Sequence, residues 1–194
     1  MEYRFYGSDS VSRYPEPFTK EPDPLDAAFA PITDVAWNVI QHDAASVPYE
    51  RFGVKHHVAD RSELLFLRGY ARENAHYGLG IHEANGSGYC CQEKVIPGPD
   101  PKIFEIFWEP DKTEFTDGTS AQSRANMRFE DPHGFSGSLV WNSRYIERTT
   151  AGETWTPEDA VVTGLLRRFD PSSKTLLVLR IEHLRTWIEG QIGP

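Results

Sequence analysis

Asp131-Pro132-His133-Gly134-Phe135-Ser136-Gly137-Ser138-Leu139-Val140-Trp141 is the most informative stretch of the chain. It sets one serine among small residues and runs directly into the β-prone Leu139-Val140-Trp141. A serine nucleophile needs a backbone that exposes its hydroxyl and aims nearby N–H groups at the oxygen of a tetrahedral intermediate, and glycine permits such a turn. Gly134, Ser136 and Gly137 have that character. A glycine-rich hairpin leading into a strand would be written with the same residues, and the pentapeptide alone leaves both readings open.

Working outward, short apolar runs are separated by turn formers: Ala27 to Ile32, Val35 to Ile40, Leu64 to Leu67, Ile103 to Trp108, Leu139 to Trp141, Val161 to Leu166 and Leu176 to Leu179. This spacing predicts strands. Helix-period segments are missing between most of them, which points to an antiparallel all-β barrel rather than a parallel α/β sheet. Gly78 to Gly88 and Glu109 to Arg124 read as surface loops, and Ser8 to Pro24, broken by four prolines, as an extended arm. Ile181, Leu184, Trp187 and Ile188 recur at helical spacing before Gly190, predicting a short amphipathic C-terminal helix over Ile181 to Glu189.

Composition narrows the function classes. With 194 residues the chain suits one compact unit with a substantial core. Twenty Lys and Arg against 29 Asp and Glu, net charge -9, argue against nucleic-acid or anionic-membrane partners. No stretch has the roughly 20 apolar residues of a membrane span, and Met1-Glu2-Tyr3-Arg4 does not open a secretory signal. The adjacent Cys90 and Cys91 supply neither a disulfide framework nor a zinc ribbon; they read as strand residues facing opposite sides, in a reducing cytoplasm. No metal-ligand pattern or cofactor motif is present. Asn85-Gly86-Ser87 matches a glycosylation sequon and reads as a turn.

The segment around Ser136 resembles the Gly-x-Ser-Gly-Gly nucleophile loop of trypsin-like serine peptidases, with Ser138 in the place of the last glycine. Further segments match in order. Val161-Val162-Thr163-Gly164-Leu165-Leu166 is similar to the family's next apolar strand, and Val178 to Ile181 followed by His183-Leu184-Arg185-Thr186-Trp187-Ile188 to its closing strand and helix. Leu65-Phe66-Leu67-Arg68-Gly69-Tyr70 resembles the first strand of the family's second barrel. The resemblance implies a Greek-key antiparallel β-barrel of the chymotrypsin type, complete over residues 63–194. Residues 1–62 would form an arm, the end of a first barrel that is mostly missing, and the connection between barrels. It implies Ser136 as nucleophile, the N–H groups of Gly134 and Ser136 as oxyanion hole, and no cofactor.

Asp23-Pro24-Leu25-Asp26-Ala27-Ala28-Phe29 looks like the family's aspartate segment, so Asp26 is the candidate orienting acid and Asp34 its rival. The family's histidine precedes its aspartate, yet the first histidine here is His42. A truncated or split enzyme is therefore expected, probing poorly as a catalyst without a histidine-bearing segment. His56, His57, His76, His82, His133 and His183 read as surface histidines, with His133 a candidate substrate contact. Phe135 stands where many secreted relatives have the aspartate that receives a newly cut N-terminus, so the bacterial intracellular type fits better. Glu130, six residues before Ser136, falls at the depth of the family's specificity pocket, and Arg167 and Arg168 fall near its substrate-pairing strand. Two other readings stand beside this one. Ser136, Asp170 and His183 follow the chain order of α/β-hydrolases, although Ser138 and a following strand break their nucleophile elbow. A protease-like domain that has lost catalysis would serve as a binding module.

Overall fold

The computed structural model describes the chain except residues 1, 4–6, 9, 11, 14–18, 22–25, 73–74, 79–80, 85, 96–97, 129–130 and 193–194. It divides into two compact units, Met1–Tyr49 and Glu50–Pro194.

In the first unit, β1 (Glu2–Tyr3) pairs antiparallel with β2 (Ser12–Arg13), and β3 (Thr19–Glu21) with β4 (Ala27–Phe29). The arm thus carries short paired strands where only an extended path was expected. The expected strand from Val35 to Ile40 is instead α1 (Asp34–Val39). Capping overrides the β-branched residues here: Thr33 Oγ1 accepts from the Ala36 amide at 3.2 Å, and Asp34 places negative charge in the first turn.

The second unit is mostly β. In chain order it contains β5 (Leu65–Gly69), the hairpin β6 (Ala75–Gly78) and β7 (Ile81–Ala84), β8 (Ser87–Cys91) and β9 (Ile103–Phe107). Then come α2 (Ala121–Asn126), β10 (Leu139–Asn142), α3 (Tyr145–Thr150), β11 (Val161–Asp170), β12 (Thr175–Arg180) and α4 (Ile181–Ile192). The β6–β7 hairpin overlaps the stretch read as a loop from Gly78, and α2 lies in the second expected loop, started by the Ser120 side chain, which accepts from the Ser123 amide.

Six strands form one antiparallel sheet in the order β8-β5-β10-β11-β12-β9. It is curled. Beyond Cys91 the chain of β8 runs on to the far edge, where Glu93 bridges Ile106, the Lys94 amide donates to Glu105 O at 2.8 Å, and the Phe107 amide donates to Gln92 O at 3.4 Å. This join sets residues 92–94 against the β9 edge, so the two ends of the curled sheet approach each other. The β11–β12 hairpin fills the remaining arc. Among the described residues every strand pair of this sheet is antiparallel, the one parallel contact being the isolated bridge of Phe52 to Val162, so the parallel, helix-covered sheet of an α/β-hydrolase is not its architecture.

Alternation explains the core. In β5, Leu65, Leu67 and Gly69 are buried while Phe66 and Arg68 are exposed. Leu65, Leu67, Phe104, Ile106, Val140 and Leu166 join one apolar cluster with Trp108 and Phe135. Each such side chain contributes about 1.5–3 kcal/mol through removal from water. α4 packs on β11 and β12 with Ile181 and Leu184 buried, and it continues through Gly190, which the sequence reading took as its stop. Cys90 and Cys91 are free thiols on β8, one exposed and one packed against the core.

Candidate functional site

Two consecutive turns present Ser136. The Phe135 amide donates to Pro132 O at 3.2 Å, and the Ser138 amide to Phe135 O at 3.0 Å. Gly134 and Gly137, the third residue of each turn, have φ of +101° and +89°, a region open to glycine and costly for side chains. Ser136 is the second residue of the second turn and is exposed, immediately before β10.

The turns are held from three sides. Phe135 is 1% exposed in the core beside Trp108. On the β11 side, the Gly137 amide donates to Leu166 O at 2.8 Å, and the Leu166 amide donates to Ser138 O at 2.9 Å. On the β5 side, the Arg72 amide donates to His133 O at 2.7 Å, and a Cβ on Gly134 would overlap Tyr70 O. The amides of Phe135, Gly137 and Ser138 are thus spent on carbonyls. Among the described residues, those of Gly134 and Ser136 have no protein acceptor.

Beside this turn stands a carboxylate–imidazole pair. Asp131 Oδ1 accepts from the His133 amide at 2.9 Å and also contacts His133 Nδ1. Because a carboxylate only accepts, Nδ1 is the donating nitrogen of this contact. Burial works to raise the Asp131 carboxyl, but the His133 amide and ring together with the Arg72 charge outweigh it and hold the group below its usual range. The His133 ring meets Phe169 edge-on at 6.5 Å.

The other residues singled out in the sequence fall as follows. Asp26 belongs to the first unit, exposed and with φ of 48°, a left-handed conformation that aspartate tolerates better than most residues. Asp34 opens α1, and its carbonyl accepts from Asn38 Nδ2. Glu130 lies outside the described residues. Arg167 and Arg168 follow Leu166 at an irregularity in the β11–β12 register and, with Glu105 and Asp170, line a cleft of about 220 Å³. Asp170 accepts from the Ser172 amide and hydroxyl, which lower its carboxyl from the ordinary value, and His183 is in α4.

Among the described residues no histidine is hydrogen-bonded to Ser136. His42, in the first unit, bonds Trp37 O through Nε2. His56, expected at the surface, is buried: Nδ1 meets Thr163 Oγ1 at 2.7 Å, Nε2 faces Glu93 at 3.3 Å, and the ring stacks on Phe104. Partners for both nitrogens and a flat aromatic neighbour make that burial affordable. His57 is exposed.

The anchoring of the loop was not legible. Gly69 and Arg72 sit far from Ser136 in sequence, and no motif ties them to it. Asp131 lies in the same stretch as Ser136, but its Asp-x-His spacing signals only a local turn. The described residues contain no group of three or more His, Cys, Asp or Glu side chains able to hold a metal, and no helix among them is long and apolar enough to cross a membrane. Compared with protein-family models, curated proteins and solved structures, the chain matches none of them.

Proposed function

We propose that this chain is a trypsin-like serine peptidase component in which Ser136 is the nucleophile and peptides or proteins are the substrates. The observation that carries the reading is Ser136 exposed on a tight turn that enters β10, an inner strand of the curled antiparallel sheet. A chymotrypsin-type barrel is the finer form of that fold and fits the strand order. Two free cysteines suit a reducing cytoplasm.

In this reading Ser136 Oγ attacks the scissile carbonyl carbon while a base takes its proton. The amides of Gly134 and Ser136 stabilise the oxyanion, the amine leaves with the proton, and water then releases the acyl group from Ser136. Asp26 would orient the imidazole, with Asp34 as its rival. Glu130, His133, Arg167 and Arg168 would contact substrate. The base would come from a separate histidine-bearing segment. Without it the hydroxyl is a weak nucleophile, and losing one member of such a catalytic set costs on the order of 10⁴ or more in rate.

The test is phosphonate labelling of Ser136, read by peptide mapping. The chain alone should label weakly, a histidine-bearing segment supplied in trans should restore labelling, and Ser136→Ala should abolish it. Rapid Ser136-dependent labelling of the chain by itself would overturn the split-enzyme reading. A second reading, a protease-like binding module without catalysis, is favoured by one observation: His133 is engaged by Asp131 and not by Ser136. Failure of every trans segment to restore labelling, with retained peptide binding, would select it.

A further inference from the structure

The 109–127 segment stands over the outward face of β5 and β8 and leaves a cleft of about 460 Å³ between them. That volume lies within the range of small-ligand pockets, about 300–1,000 Å³. None of its lining residues belongs to the Ser136 loop.

The floor is unusual for the outward side of a curled sheet. Alternation should place polar residues there, yet Phe66, Gly88 and Cys90 form it. A Cβ on Gly88 would approach the Phe66 ring to 2.9 Å, so the ring lies across the glycine and is still 39% exposed. Facing the same space from the roof are Phe115 and Met127.

Both walls are tied by polar contacts that leave this apolar space unfilled. In the roof, Arg124 donates through Nη2 to Thr116 O at 2.8 Å and through Nε to Thr119 O at 3.0 Å, and its guanidinium lies 5.7 Å from the Phe115 ring centre. At the base, the Tyr89 hydroxyl donates to Phe107 O at 3.0 Å and accepts from the Glu109 amide at 3.4 Å. Burial, with Cys91 as a second cause, pushes that hydroxyl well above its ordinary value, so it stays protonated as a donor.

The rim fixes the charge of the ligand. Lys112 is paired with Glu109 at 2.6 Å, whereas among the described residues Glu114 has no cationic partner. An apolar slot with two rings and a thioether favours an aromatic group. An unmatched carboxylate at its mouth favours a neighbouring cation. We propose that this cleft is a binding site for a peptide segment in which an aromatic side chain is followed by a basic one.

Cys90 on the floor reports occupancy. Burial, with smaller contributions from Cys91 and Glu63, pushes its thiol up to about 11, so alkylation by iodoacetamide is followed at about pH 9. The probes are N-acetyl-Phe-Lys-amide and N-acetyl-Phe-Glu-amide, added to the full chain, with Cys90 modification read by peptide mapping. For a dissociation constant on the order of 1 mM, the lysine probe at about 10 mM should slow Cys90 alkylation about tenfold. The glutamate probe should have little effect. Glu114→Gln, an exposed change, should remove the difference between probes, and Phe115→Ala should weaken both. Protection should persist in Ser136→Ala; its loss there would assign the ligand to the serine loop and overturn the proposal. Absence of protection, or equal protection by the two probes in the unsubstituted chain, would also overturn it.

Discussion

The hydroxyl of Ser138 occupies the space that a Cβ on Gly69 would need. The same Cβ would come within 2.8 Å of Phe135 Cδ1, a ring packed in the core. The missing side chain in β5 and the small side chain of Ser138 are therefore one fitted pair. Gly69→Ala is expected to destabilise the second unit by about 1–3 kcal/mol, the usual cost of overpacking. Ser138→Gly in the same chain should recover part of the loss, because the Phe135 contact remains. Urea midpoints of the two single variants and the double variant measure this coupling.

Gly134 and Gly137 should differ sharply as alanine. Both have positive φ, which costs an L side chain about 1–2 kcal/mol. A Cβ on Gly137 meets nothing within 4 Å, but one on Gly134 would come within 2.8 Å of the Arg72 amide nitrogen and overlap Tyr70 O. Gly137→Ala should thus pay only the backbone cost. Gly134→Ala should cost more and displace the turn, seen as a larger drop in urea midpoint and altered amide chemical shifts at Tyr70 and Arg72.

Glu63 is fully buried, yet its carboxylate is well supplied with donors. Oε1 accepts from Ser143 Oγ at 2.8 Å and the amides of Leu64 and Ile146, and Oε2 from the Glu147 amide at 3.0 Å. It closes the start of α3 from a distant part of the chain. Glu63→Gln presents an NH₂ group to one set of donors, and the expected loss is about 3 kcal/mol, near that for breaking a buried charged network. Early hydrogen exchange over Ile146 to Arg148 would accompany it.

Acid should weaken the second unit. The Arg144 guanidinium lowers the Glu147 carboxyl through hydrogen bonds, against partial burial, and Asp131 is also lowered, as described above. A carboxyl with a depressed value in the folded state stabilises it fully above the unfolded value, near 4. That contribution fades as pH falls through the lower folded value. The urea midpoint should therefore hold between about pH 7 and 5 and decline below about 4. Arg144→Met should flatten the decline by removing Glu147's partner; an unchanged slope would reject the assignment.

Much of the sheet was legible because burial on one face writes itself into alternate residues. Leu65 and Leu67 point inward and Phe66 and Arg68 outward, as a period of two requires. The α1 segment was misread because Val35, Trp37 and Val39 also alternate, while the deciding signal was the Thr33 cap. Both valines are more than 70% exposed, so their apolar character reflected no inward face. The Ser136 turn was legible from its glycines, whose positive φ is a local requirement. Its supports at Gly69, Arg72 and Leu166 were not, because contacts between distant residues leave no spacing to read.

Register sets the order in which the molecule can be assembled. β11 and β12 are joined by the short Pro171–Lys174 turn, so their pairing closes a small loop. Pairing β10 with β5 brings Asn142 to Leu65 and must close a far longer one. The Ser136 turn hangs on both arcs, through Leu166 on one side and through Tyr70 and Arg72 on the other. Its geometry can mature only after the slow, non-local arc has formed. A partly folded chain would therefore carry Ser136 without a shaped turn around it, and the exposed turn would arrive as one of the last features of the finished fold.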